Sequence, residues 1–155
     1  MRLLALDVGE RSVGVAGCDP LGVTTTGLYT IRRQSLERDI EQVSRTVTER
    51  EVERVVVGLP ISMDDTEGAI ARKVRSFASA LDRSVEATVV LWDERLSTFE
   101  AESILREAGV HWKKRKAVID QVAAEVILRS YIDAGCPQPS NEGPAFPVSE
   151  KEERD

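Results

Sequence analysis

From Leu3 to Val8 every residue is apolar except Asp7. A strand this apolar, without alternation, has to be covered on both faces, so the chain is confined to a layered fold with helices on either side of a sheet. Asp7 interrupts the run at its far end, where the strand leaves the core. Two further β-rich stretches follow at residues 12–18 (SVGVAGC) and 22–31 (GVTTTGLYTI), separated by short turns of Gly, Asp and Pro that suit an antiparallel meander.

The period then changes. Leu36, Ile40, Val43 and Val47 recur at steps of four, three and four, the stripe of an amphipathic helix. Val55, Val56 and Val57 lead into Gly58-Leu59-Pro60, a buried strand stopped by a turn, and Ile70, Val74, Phe77 and Leu81 trace a second helical stripe. Residues 85–92 read as the next strand. Alternation of helix and strand implies parallel strands joined by right-handed crossovers. The expected class is α/β, a mixed five-stranded sheet with helices on its faces. Ser97 and Glu100 have capping-box spacing before a helix that Gly109 can end. A last helix over residues 117–133 turns Ile119, Val122, Ala123, Val126 and Ile127 inward and is ended by Gly135 and Pro137.

One domain over residues 1–135 fits the length of 155 residues, and four of the six prolines fall in residues 136–155, which read as a mobile acidic tail. Hydrophobic residues at 41% and charged residues at 31% allow a real core and exclude a disordered polymer. Cys18 and Cys136 lie far apart without metal-ligand spacing, so neither a disulfide framework nor structural zinc is indicated. The first apolar run is too short for a signal peptide or membrane span, and a cytoplasmic protein is expected. The net charge of -6 excludes a uniformly basic surface. Any polyanion binding must be local or assisted by a metal ion.

In open α/β sheets, ligands sit beyond the carboxyl ends of the parallel strands. Asp7 ends the first strand and Asp93-Glu94 the last, with Gly58-Leu59-Pro60 between them; Asp120 lies in helical line with Ala123, Ala124, Ile127 and Tyr131, on the core side. Each acid also has a plainer reading. Asp7 can be a turn aspartate, Glu94 a surface residue paired with Arg95, and Asp120 a helix-start carboxylate favoured by the dipole. Together, carboxylates at the edge of an apolar core repel one another unless protons or a cation intervene. Hard ions such as Mg²⁺ or Mn²⁺ take oxygen ligands, share them with phosphate, and one or two such ions can activate phosphodiester hydrolysis without a histidine base.

Gly9, Gly14 and Gly17 permit a tight hairpin, or else the approach of a phosphate backbone that Arg11 can contact. Lys113, Lys114, Arg115 and Lys116 directly precede Asp120. They form either a solvated loop or a local phosphate-holding patch. His111 is read as incidental.

The stretches DVGERSVGVA (residues 7–16), VVGLP (56–60), DERLST (93–98) and DQVAA (120–124) resemble, in order and spacing, the YqgF/RuvX family of candidate pre-16S ribosomal RNA nucleases related to Holliday-junction resolvases. The likeness spans nearly all of residues 1–133. It implies a ribonuclease H-like fold, a divalent-metal site and phosphodiester hydrolysis in structured nucleic acid. By position it makes Asp7, Glu94 and Asp120 the catalytic metal ligands with Asp93 in reserve, and matches Arg115 and Lys116 to the family's basic pair; Arg95, Arg11, Lys113 and Lys114 complete the expected nucleic-acid contacts. The expected partner is precursor 16S rRNA, with a DNA four-way junction as the alternative, and the protein is a monomer or a homodimer. Two rival classes remain. Residues 7–14 also resemble the phosphate loop of actin-like sugar kinases, which need a second such domain, and a non-catalytic RNA-binding assembly factor would leave the acids without a task.

Overall fold

The computed structural model describes residues 1–96 and 112–148, and for Leu96 and residues 112–117 the backbone alone. Three strands open the chain, β1 (Leu3–Val8), β2 (Ser12–Cys18) and β3 (Thr25–Arg32). They are followed by helix α1 (Leu36–Glu49), strand β4 (Arg54–Leu59), helix α2 (Ala69–Ser84) and strand β5 (Thr88–Asp93). A single turn at Glu94–Leu96, helix α3 (Trp112–Asp133) and a short strand β6 (Ala145–Pro147) complete the described chain. None of the described helices is long and apolar enough to cross a membrane. The helix expected after Ser97 lies outside the described residues.

The sheet order is β3-β2-β1-β4-β5-β6, with β1, β4 and β5 parallel and the rest antiparallel. Alternation along each central strand sends its residues to two cores. Leu4, Leu6, Val55, Val57 and Leu91 pack with Ile40, Val43, Val47, Val74, Phe77 and Leu81, so α1 and α2 cover one face. Leu3, Ala5, Val56, Val90 and Trp92 pack with Ile127, Leu128 and Tyr131 of α3 on the other. Two-sided burial is why β1 and β4 read as unbroken apolar runs.

Two expectations are corrected. The sheet has six strands, not five, and residues 136–148 are not a free tail, because β6 pairs with β5 (Trp92 with Ala145, Leu91 with Phe146, Val90 with Pro147). An apolar edge strand with open N–H and C=O groups is a strong template, and it recruits Ala145-Phe146-Pro147 despite the flanking prolines. The second connection is also longer than expected. The Asp19 carboxylate accepts hydrogen bonds from the amides of Val23 (2.7 Å) and Thr24 (2.7 Å), which delays β3 to Thr25.

Candidate active site

Asp7 lies on the α3 side of β1, level with Gly14 of β2, and is surrounded by strand on both sides. Burial of the carboxyl is the main cause that pushes its pKa up to about 8; the negative charges of Glu94 and Asp120, and a hydrogen bond shared with Glu94, push in the same direction. Near neutral pH one proton therefore stays in the Asp7–Glu94 pair. Glu94 is the first residue beyond β5, two along from Trp92 and so on the same face. Gly58 of β4 lies between them. A Cβ there would stand 3.5 Å from the Glu94 carboxyl carbon and 2.6 Å from Ile127, so the absent side chain is the space across which Asp7 and Glu94 meet.

Asp120 comes from the other layer. It accepts a short hydrogen bond from the Ser12 hydroxyl, which fixes its carboxylate above the start of β2. The helix can approach this closely because Gly14 has no side chain: a Cβ on Gly14 would lie 1.9 Å from the Asp120 carbonyl oxygen. Gln121, next to Asp120, donates to Thr30 (3.1 Å), and Glu125, about one turn further along α3, accepts from the Gly27 amide (2.5 Å). Gly14 and Gly17 were candidates for phosphate approach. Their space is instead taken by α3 and by the Arg50 guanidinium.

The other expected site residues divide. Asp93 points to the opposite face from Glu94, as strand alternation requires, and its carboxylate binds Arg95 (Nη2–Oδ2 2.7 Å). It is not brought together with the three acids. Arg95, expected at phosphate, also holds Asp65 (2.6 Å) and the Ser62 carbonyl (3.2 Å), so it clamps the loop after β4 to the end of β5. Arg11 is exposed at the β1–β2 turn. Lys113, Lys114, Arg115 and Lys116 lie on the first turns of α3, before Asp120, with side chains outside the description.

Three residues were not singled out by sequence reasoning. Ser12 was legible only as part of a motif; its partnership with Asp120 spans 108 positions. Arg32 stands opposite Ser12 on the same sheet face, is exposed, and makes no ion pair or hydrogen bond among the described residues. Its neighbour Arg33 faces the other way. Arg33 pairs with the buried Asp39 (3.1 Å), donates to the Gly9 carbonyl (3.0 Å) and lies over Phe77, so it braces the turn that separates Asp7 from Ser12.

Among the described residues, no three carboxylate, imidazole or thiol groups stand close enough together to hold a metal ion as they are. What exists is a hydrogen-bonded pair of acids, Asp7 and Glu94, with the charge of Asp120 acting on it. Oxygen-only donors, buried mutual repulsion and a proton that a cation can displace suit a hard divalent ion better than zinc or copper.

The RuvX family model, described as Holliday junction resolvase, matches residues 1–134. A protein of Desulforamulus reducens named as a candidate pre-16S rRNA nuclease is 44% identical over 135 residues, covering 87% of this chain and 98% of its own length. A Myxococcus xanthus protein of the same name is 47% identical, covering 88% of this chain and 91% of its own. Among solved structures, Thermus thermophilus RuvC in complex with a Holliday junction substrate superposes with a TM-score of 0.57 at 14% identity, over 87% of this chain and 96% of that one. That likeness is one of fold, a ribonuclease H-like mixed sheet between helices. By the extent of the family match and the identity of its relatives, the chain belongs to the RuvX family.

Proposed function

We propose that the protein is a divalent-metal-dependent nuclease that hydrolyses phosphodiester bonds in structured nucleic acid, and that its substrate is the 5′ region of precursor 16S rRNA. The observation that carries this reading is the placement of Asp7, Glu94 and Asp120, acids from β1, the turn after β5 and α3, at one edge of the sheet around Gly58 and Gly14. The relatives' names supply the substrate. Asp7, Glu94 and Asp120 would hold Mg²⁺ or Mn²⁺, which supplies a Lewis acid at the phosphoryl oxygen and lowers the pKa of a bound water. Asp7 would bind the ion as its carboxylate, and the Ser12 hydroxyl fixes the Asp120 carboxylate beside it. Arg11 and Arg32 bind flanking phosphates, with the basic first turns of α3 on the same side.

The family description and the RuvC-like fold favour a second reading, resolution of a DNA four-way junction. Symmetric cutting of two strands needs a dimer. The deciding experiment offers the purified protein precursor 16S rRNA, single-stranded RNA and a DNA four-way junction, each with Mn²⁺, with Mg²⁺ and with excess chelator. Cleavage of the precursor at its 5′ side, lost in chelator, is expected. Preference for the junction establishes the second reading, and binding without metal-dependent cleavage of any substrate establishes a non-catalytic RNA-binding factor.

Arg32 gives a further check on substrate contact. Arg32→Ala is expected to raise KM about three- to tenfold with kcat nearly unchanged, and to lower the slope of log KM against log salt by about 1, as loss of one phosphate contact does. A fall in kcat at constant KM would place Arg32 elsewhere.

A further inference from the structure

The family match ends at residue 134, and the Desulforamulus reducens relative is almost wholly covered by 135 residues of this chain. The residues that follow are nevertheless built into the active-site edge. Gly135, at φ +86°, ends α3, and the Cys136 amide returns to the Tyr131 carbonyl (3.1 Å). Tyr131 donates its hydroxyl to the Pro137 carbonyl (2.8 Å), and Arg54 donates to both the Tyr131 hydroxyl (2.7 Å) and the Cys136 carbonyl (3.1 Å). Arg54 is buried and pairs with no carboxylate among the described residues, so these oxygens answer its charge. The segment is thus rooted in the core before it reaches the sheet.

Its far end lies beside the site. The Ser140 amide donates to the Ala145 carbonyl (2.8 Å), closing a turn, and β6 then pairs along β5. Ala145 joins the core of Trp92, Ile127 and Tyr131, while Phe146 and Val148 pack against the core on the other face. One bond lies beyond the ladder. The Asp93 amide donates to the Pro144 carbonyl (3.0 Å), immediately before Glu94. The Asp93 side chain is held by Arg95, so both the backbone and the side chain of the residue preceding Glu94 are fixed.

We infer that residues 136–148 are a positioning clasp: a segment outside the family match that holds the end of β5 so that Glu94 is set for the ion. The inference rests on the reading of Glu94 as a ligand. Supporting contacts around metal ligands commonly change affinity by about 10- to 100-fold when lost. An unclasped β5 would end in an open edge whose last residues fray.

The test uses the full chain. Gly143 has φ +64°, and a Cβ there would stand 2.6 Å from the Phe146 ring, so Gly143→Val should displace the turn before β6. Ala145→Asp, placing a charge in the core at a residue 2% exposed, is the second variant. Hydrogen exchange at the Asp93 amide reports release of the clasp, and calorimetry with Mn²⁺ in the absence of substrate reports affinity. Release is expected to speed Asp93 exchange at least about tenfold and to weaken Mn²⁺ binding by about tenfold or more. Val43→Ala, a core change under α1, serves as the control for general destabilisation and should leave Mn²⁺ affinity unchanged. The inference is overturned if Asp93 exchanges freely while Mn²⁺ affinity holds, if Val43→Ala weakens Mn²⁺ equally, or if neither variant alters Asp93 exchange. Failure of the underlying reading looks different: Glu94→Gln would then bind Mn²⁺ and cleave as the parent does.

Discussion

Asp7→Asn is expected to abolish cleavage, by about 10³-fold or more, while making the metal-free protein more stable at neutral pH. The two effects have one cause. A carboxyl whose pKa is pushed up to about 8 by burial and by neighbouring acids is costly to ionise in the folded protein. In the unfolded chain the same group ionises near its ordinary value of 3.8. The folded state therefore binds more protons between those values. The stability Asp7 contributes is complete below the unfolded pKa and is lost as pH rises toward the folded one. Asn has the size of Asp and no such titration. Removal of this single group should raise stability on the order of 4 kcal/mol at pH 7 and flatten the decline of Tm between about pH 4 and pH 8.

Mn²⁺ or Mg²⁺ should reverse the ranking. An ion that displaces the shared proton binds the folded state only, so it raises the Tm of the parent and leaves that of Asp7→Asn nearly unchanged. Because the ion competes with a proton, its affinity for the parent should climb by up to about tenfold per pH unit below pH 8 and level off above it. Melting curves with and without Mn²⁺ across this range, on both proteins, check each part. An Asp7→Asn protein that is less stable than the parent without metal, or that gains as much from Mn²⁺, would show that the carboxyl is not a strained ligand.

The acids were legible in the sequence to different degrees, for physical reasons. Asp7 and Glu94 come at the ends of apolar strands, which places them at the edge of the sheet, and Asp120 shares a helical face with Ala124, Ile127 and Tyr131, so periodicity orients it toward the core. The same alternation separates Asp93 from Glu94. Leu91 belongs to the core under α1 and α2 and Trp92 to the core under α3, so residue 93 had to face away. The ion pairs of Arg95 were not legible because its partners, Asp93 and Asp65, are assembled by the β4 loop folding onto the end of β5. Ser12 was hidden for a similar reason: a serine at a strand start is ordinary until α3 crosses it. The strand β6 was illegible because a three-residue segment ending in proline gives no strand signal of its own; the open edge of β5 creates it. Local pattern fixed the faces of the elements, and tertiary contact fixed the supports of the site.

Gly14→Ala is the smallest change that should separate those supports from the acids themselves. Gly14 pairs with Asp7 across the β1–β2 ladder, and a methyl group there would meet the Asp120 carbonyl oxygen at 1.9 Å, its carbonyl carbon at 2.2 Å and its Cβ at 2.8 Å. All three atoms belong to a helix or its backbone, so no rotamer change relieves the clash. Either the first turns of α3 lift from the sheet or β2 bends away. Overpacking of this kind costs about 1–3 kcal/mol, and more where backbone must move. The functional loss should be larger, because a displacement of about 1 Å carries Asp120 off the Ser12 hydroxyl and away from Asp7, and misplacement on that scale costs about 100-fold in rate. Gly68→Ala is the matched control: no atom lies within 4 Å of a Cβ there, at the start of α2 on the other face. It should cost about 1 kcal/mol or less and leave kcat unchanged. Comparison of Tm and kcat for the two alanine variants measures how far catalysis depends on the closeness of α3 to the sheet; equal kcat in both would mean that Asp120 does not need its place beside Ser12.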